Sequence, residues 1–332
     1  MADVRPLLRE EFLPPRRPPR RHLISIADLT RDDVERLLAL SRTFARSLER
    51  DVKKLPTLRG RLVVNAFFEA STRTSSSFEL AAKRLSADVM SLKASGSSLE
   101  KGESLKDTLI TVGAYDPDVI VIRHGRIGAP QLAARYTSAH VVNAGDGKHQ
   151  HPTQALLDLY TLDEELGGIE GLHVAIVGDV LHSRVARSNV QALVLMGARV
   201  TLIGPPALIP RGIERLGCEV THDIGAIGAA DVVYVLRMQR ERMLEGANYV
   251  PSLREYTVRW GVTADRLRPG QKVMHPGPMN RGVEIDPDVA DAAGSLIARQ
   301  VRSGLVVRMA VLYDLLTGGP VEVKVAEIEE VA

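Results

Sequence analysis

A chain of 332 residues, 45% hydrophobic and 25% charged, has the length of roughly two ordinary domains and enough apolar content to bury a sizeable core. Its 43 Lys and Arg stand against 41 Asp and Glu, and a formal net charge of +2 excludes a global field that would draw the protein to nucleic acid or an acidic membrane, so any anion site must be local. The one cysteine, Cys218, excludes an internal disulfide and a cysteine-built zinc site and fits a reducing compartment, read here as the cytoplasm.

In chain order, residues 1–21 are rich in Pro and Arg (Pro14, Pro15, Arg16, Arg17, Pro18, Pro19, Arg20, Arg21), have little to bury, and read as a disordered tail. From Leu62 onward, short β-branched runs alternate with longer amphipathic segments, the pattern of parallel sheets with helical crossovers. The fold class is α/β, with two similar-sized lobes, each a parallel sheet flanked by helices. Strands are expected over Leu62 to Phe68, Val119 to Arg123, His140 to Asn143, His173 to Val177, Arg199 to Ile203, Asp231 to Leu236 and Lys272 to Met274. Helical spacing puts Phe78, Ala81, Ala82 and Leu85 on one face, and likewise Leu105, Leu109 and Val112. The run Pro152 to Leu166 reads as a helix stopped by Gly167-Gly168, and the domain boundary is placed along it: 22–155 and 156–294. A last helix over 295–317, apolar along Leu305, Val306, Met309, Leu312 and Leu316, has to pack back on the first lobe, and 318–332 reads as a loose end. No apolar run approaches the ~20 residues that span a bilayer, and the N-terminus lacks the apolar core of a signal peptide, so no membrane is expected as a partner.

Five clusters carry chemistry. Ser71-Thr72-Arg73-Thr74 lies between a strand and a helix, where hydroxyls, free N–H groups, the helix dipole and a forked guanidinium suit phosphate; a plain helix cap with a solvated arginine is the alternative. His151 and Gln154, three apart at a helix start, can project into the crevice at the strand ends; zinc would need His149, His151 and a third ligand, and no such set is evident, so no metal is expected. Arg123 closes a buried strand and is expensive to leave unpaired, whereas Lys101, in the loop Ser97-Ser98-Leu99-Glu100-Lys101-Gly102-Glu103, means little alone. Gly178-Asp179 leads through His182 and Ser183 to Arg184, and Arg237-Met238-Gln239 follows the 231–236 strand; without GxGxxG a nicotinamide cofactor is not expected, and two arginines suit a dicarboxylate. His275-Pro276-Gly277-Pro278 makes a rigid turn whose carbonyls are free to accept from a ligand NH2.

Taken in this order, from about His22 to Gly318, these motifs resemble the aspartate and ornithine carbamoyltransferase family. Ornithine enzymes typically carry a late cysteine and a Ser-Met-Gly motif, so this sequence is similar to the aspartate branch. The resemblance implies transfer of the carbamoyl group of carbamoyl phosphate to L-aspartate, an early step of pyrimidine biosynthesis, with no cofactor. It implies a first domain that binds carbamoyl phosphate through Ser71, Thr72, Arg73 and Thr74, with Arg123, His151 and Thr74 polarising the carbamoyl oxygen. Gln154 and the carbonyls of Gly277 and Pro278 would take the carbamoyl amino group. In the second domain Arg184, Arg237 and Gln239 would bind aspartate, with Lys101 reaching in from a neighbouring subunit of a homotrimer. Regulatory chains or dihydroorotase are the further partners the family knows; nucleic acid is not among them.

Two departures stand out. Ser75 follows the STRT motif where many members have an arginine, and the Lys101 loop carries one lysine where some have two. The rival expectations are a carbamoyltransferase with another acceptor such as ornithine, which would not want both Arg184 and Arg237 nearby, and a noncatalytic scaffold that kept the fold. The mechanism implied needs no side-chain nucleophile: fixed donors around a developing oxyanion and two substrates held in line supply the acceleration.

Overall fold

A computed structural model describes residues 22–93, 102–243, 249, 250 and 252–318. Lys101, the tail 1–21 and the end from 319 lie outside them.

The elements run α1 (Arg31–Ser47), β1 (Leu62–Phe67), α2 (Thr72–Arg84), β2 (Asp88–Lys93), α3 (Leu105–Gly113), β3 (Val119–His124), α4 (Ala129–Tyr136), β4 (His140–Asp146) and α5 (Pro152–Leu166). The second half continues with β5 (His173–Val177), α6 (Arg184–Leu195), β6 (Arg199–Ile203), β7 (Glu219–Thr221), β8 (Val232–Val235), α7 (Leu253–Trp260), β9 (Lys272–Met274), α8 (Pro287–Asp291) and α9 (Ile297–Thr317).

The strands form two sheets, ordered β2-β1-β3-β4 and β7-β6-β5-β8-β9, and every pairing is parallel. Central strands of such sheets are covered on both faces, which is why they read as unbroken apolar runs: Val119, Ile120, Val121 and Ile122 of β3 are all fully buried. The same logic explains two strands absent from the sequence-based expectation. β2 sits at a sheet edge with an alternating, half-exposed pattern, and β7 is only three residues long. α1 was also not anticipated, although Thr30 and Asp33 form a reciprocal capping box and Val34, Leu37, Leu38, Ser41 and Phe44 are buried. α5 has the predicted bounds, with Pro152 in its first turn and Gly167 in the left-handed conformation at its end.

α9 returns to the first lobe as the sequence required. It packs against α1, α2 and α5; Phe44 meets the edge of Tyr313 at 5.6 Å between centroids, and Arg36 reaches Asp314 at 2.9 Å. Arg308 lies over the ring of Phe78 at 5.1 Å and donates to the Ser77 hydroxyl at 2.8 Å, fixing α9 behind the start of α2.

In each sheet the winding reverses once, between β1 and β3 in the first and between β5 and β8 in the second. Ligand crevices in open parallel sheets form outside the carboxyl ends of strands at such reversal points. The loops there are the ones that carry the sequence motifs.

Candidate active site

Four charged side chains from these loops converge. Glu69, just after β1, accepts from Arg123 at the end of β3 at 2.9 Å, from Arg184 at the start of α6 at 2.5 Å, and from Arg242 after β8 at 2.8 Å. One carboxylate thus meets three guanidiniums, two of them from the other lobe. Burial alone would raise the Glu69 carboxyl, but the hydrogen bond and charge of Arg184, then the charges of Arg123 and Arg242, outweigh it and hold the group below its usual range. Burial pushes Arg123 down to about 9, with Arg184 adding to the fall and Glu69 opposing it, so the guanidinium remains charged at neutral pH. Arg123 also donates to the carbonyl of Ala144 at 3.2 Å, which answers the expectation that an arginine closing a buried strand needs partners.

α2 begins at Thr72 with Ser71 at its N-cap, yet the Ser71 side chain accepts no capping hydrogen bond. The first-turn N–H groups have no intrahelical partner by geometry and aim out of the helix start. Ser75, the departure noted above, turns its hydroxyl back to the Ser71 carbonyl at 2.8 Å and so stays within the helix. Thr74 is buried. Arg73 makes no ion pair with any described residue; burial and then the charge of Arg237 lower its pKa, which puts a first-lobe and a second-lobe arginine within each other's field. The Arg73 guanidinium lies over Gly277: a Cβ built there would stand 2.6 Å from its central carbon. Gly277 has φ +64°, so the position both requires left-handed backbone and keeps the space the guanidinium occupies.

Of the remaining expected residues, Lys101 lies outside the described range, and His151 and Arg184 lie within the field of Arg123. His151, the N-cap of α5, is 4% exposed, and its backbone N–H is held by the Ser188 hydroxyl at 2.8 Å. Burial first, then Arg123, Arg184, Arg308 and Arg242, drive its pKa well below 6.5, so the imidazole is neutral. Gln154, one turn on, donates its amide NH2 to Asp158 at 3.0 Å. Arg184 is buried beside Gly145, whose φ of +118° and missing side chain leave the guanidinium 2.9 Å from an ideal Cβ position. The Gln239 backbone N–H is held by Asp179 at 3.1 Å, and Arg237 pairs with Glu241. Pro278 follows Gly277 at the exposed lip. Among the described residues no group of three His, Cys, Asp or Glu side chains could hold a metal; His149 instead pairs with Asp146 at 3.1 Å.

Glu69 and Arg242 went unnoticed in the sequence. An acid two residues ahead of an anion-binding motif was the available signal, and Arg242 sits three residues beyond Gln239 in the same loop.

Comparison with known proteins decides the lineage. The sequence models of the carbamoyl-P binding domain and of the Asp/Orn binding domain of aspartate/ornithine carbamoyltransferases match residues 21–164 and 170–315. The chain belongs to the aspartate/ornithine carbamoyltransferase family. Within that family it is 56% identical over 303 residues to the aspartate carbamoyltransferase catalytic subunit of Acidothermus cellulolyticus, covering 90% of this chain and 93% of that one. It is 52% identical over 304 residues to the catalytic subunit of Moorella thermoacetica, covering 90% and 98%. Among solved structures, aspartate transcarbamoylase from Trypanosoma cruzi in complex with N-(phosphonacetyl)-L-aspartic acid superposes with a TM-score of 0.82 at 33% identity, covering 89% and 96%. The catalytic subunit of M. jannaschii aspartate transcarbamoylase gives 0.79 at 35%, covering 90% and 98%. The family's two-domain layout coincides with the two parallel sheets described above.

Proposed function

We propose that this protein transfers the carbamoyl group of carbamoyl phosphate to the α-amino group of L-aspartate, giving N-carbamoyl-L-aspartate and phosphate. The observation that carries the reading is the set of guanidiniums from both lobes: across the cleft Arg123, Arg184 and Arg242 share the one carboxylate of Glu69, and Arg73 lies in the field of Arg237. A cationic acceptor such as ornithine would be repelled there, whereas a phosphate and two carboxylates fill it.

Ser71, Thr72, Arg73 and Thr74 hold the phosphate at the α2 start, where unpaired N–H groups and the helix dipole favour an anion. Arg123 and Thr74 donate to the carbamoyl oxygen, and neutral His151 does so through its one ring N–H. Gln154 and the carbonyls of Gly277 and Pro278 accept from the carbamoyl NH2. Arg184, Arg237 and Gln239 bind the aspartate carboxylates, with Lys101 contributed by a neighbouring chain of a homotrimer. The amine lone pair attacks the carbamoyl carbon; an N–C bond forms, the C–O bond to phosphorus breaks, its electron pair leaves with phosphate, and phosphate carries off the amine proton. Donors preset around the developing oxyanion supply the largest part of the acceleration, and removing one costs about 10² to 10³ in turnover. The working compartment is the cytoplasm, a reading that rests on the single cysteine, and the reaction is an early step of pyrimidine synthesis, as the names of the relatives imply.

The test is phosphate release from carbamoyl phosphate with aspartate or ornithine as acceptor, in wild type, Arg123→Ala and Arg237→Ala. Aspartate-dependent release lost in both variants supports the assignment; ornithine dependence, or none, sinks it. For the assembly, inactive Lys101→Ala and Arg123→Ala chains should regain activity when mixed and refolded together if the site is shared.

A further inference from the structure

Asp158 lies on α5, one turn beyond Gln154, 3% exposed and outside the set of residues that touch substrate in the proposed reaction. Four donors converge on its carboxylate. Oδ1 accepts the side-chain amides of Gln154 at 3.0 Å and Gln300 at 2.7 Å; Oδ2 accepts the Asn189 amide at 2.9 Å and the Tyr234 hydroxyl at 2.7 Å. The donors come from α5, α6, β8 and α9. A carboxylate only accepts, so it dictates how each amide is turned. Gln154 must point its NH2 inward, which leaves its carbonyl oxygen for the cleft. Gln300 must do the same, and its own carbonyl oxygen then accepts the backbone N–H of His275 at 3.0 Å. His275 in turn accepts the N–H of Gly277 through its ring Nδ1 at 2.8 Å. Burial raises the Asp158 carboxyl to about 6, still below neutrality, so the acceptor-only form prevails in working conditions.

We infer that Asp158 is a positioning residue that sets both halves of the acceptor for the carbamoyl NH2, turning the Gln154 carbonyl outward directly and holding the Gly277-Pro278 carbonyls in place through Gln300 and His275. The inference rests on the carbamoyl-transfer reading. It assigns to one buried carboxylate the discrimination between a substrate that carries NH2 and one that carries CH3 at the same position. A site that hydrogen-bonds a substrate N–H rejects an analogue without it, because its own polar groups are left unpaired.

The experiment compares carbamoyl phosphate with acetyl phosphate, its methyl analogue, by competition in the full-length wild type, Asp158→Leu, Asp158→Asn and Gln300→Leu. Wild type should prefer carbamoyl phosphate. Asp158→Leu removes the acceptor, and the preference should fall at least ~10-fold while the acetyl phosphate constant changes less than about threefold. Asp158→Asn should keep most of the preference, because its amide oxygen can face the two glutamines while its NH2 meets the rotatable Tyr234 hydroxyl and a flipped Asn189. Gln300→Leu cuts only the branch to the Gly277 loop and should lose the preference by roughly threefold or more, which keeps the test open if Asp158→Leu does not fold. An unchanged preference in whichever of the two leucine variants folds, or equal losses for both phosphates, would overturn the assignment and leave Asp158 a packing residue. Wild type that binds the two phosphates equally would instead overturn the carbamoyl reading, and this inference with it.

Discussion

Glu69 and Arg242 stand 173 positions apart in the chain and meet at 2.8 Å across the cleft, while the same carboxylate holds Arg184 at 2.5 Å. One acid of the first sheet's crest thereby ties two arginines of the second. The groups are partly buried, so their attraction is screened less than that of a surface pair, and removing one partner leaves like charges facing each other.

Glu69→Gln should therefore raise the KM for aspartate at least ~10-fold, equivalent to about 1.4 kcal/mol, since Arg184 and Arg242 lose the partner that holds them toward the first lobe. Binding of carbamoyl phosphate, which depends on the α2 start, should change far less. Initial-rate kinetics with each substrate varied would check this, and an equal effect on both substrates would refute it.

Two glycines separate the substrates by a different route. Gly277 lies under the Arg73 guanidinium and Gly145 under that of Arg184, each with a positive φ and with an ideal Cβ position 2.6 and 2.9 Å from the respective guanidinium carbons. Alanine at either position strains the backbone by ~1 kcal/mol and pushes away the end of a flexible side chain, a change the fold tolerates. Gly277→Ala should weaken carbamoyl phosphate binding, and Gly145→Ala should weaken aspartate binding, each about 10-fold or more and each largely sparing the other substrate. Calorimetric titration of the pair would expose a swapped or shared effect.

Much of this site was legible in the chain because strand-end motifs announce themselves: STRT, RH, HPTQ and RMQ follow apolar runs that could only be buried parallel strands. The lobes and the return of α9 followed from the same periodicity, and the family models cover both halves of the chain. Glu69 and Asp158 were not legible in this way. An isolated acid in a loop, or inside an apolar helix, shows no period and no motif, and its importance comes from partners 54 to 173 positions away for Glu69 and up to 142 for Asp158. β2 and β7 escaped for the opposite reason, since edge strands are short or half-polar and resemble loops.

The return of α9 makes a stability prediction that is independent of chemistry. Phe44 is 1% exposed and meets Tyr313 where α1 packs on α9, and it is not among the residues proposed to bind substrate. Phe44→Ala should cost about 3 to 5 kcal/mol in urea unfolding while leaving the KM values of the folded fraction near wild type. A loss of stability below about 1 kcal/mol would mean that α9 does not depend on this contact.

The last prediction concerns acid. His151 has its folded pKa driven well below 6.5 by burial and by four arginines, so between the two values the unfolded chain binds more protons than the native one. Stability then rises with pH across that window and is lost as the pH falls below about 6.5. His275, also lowered by burial, acts in the same direction, whereas Asp158, raised to about 6 from 3.8, holds its proton in the native state and acts in the opposite one. The wild-type slope mixes all three, so the single variant is the informative measurement. His151→Asn removes a group that weakens the native state in acid, and its stability deficit relative to wild type should shrink on going from pH 7 to pH 5, by up to ~1.4 kcal/mol per unit. Urea titrations of both proteins at three pH values test this. A deficit that stays constant would mean that the site does not lower the His151 pKa, and one that grows toward acid would mean that the folded state takes up the proton more readily, so that its oxyanion role would be that of an imidazolium.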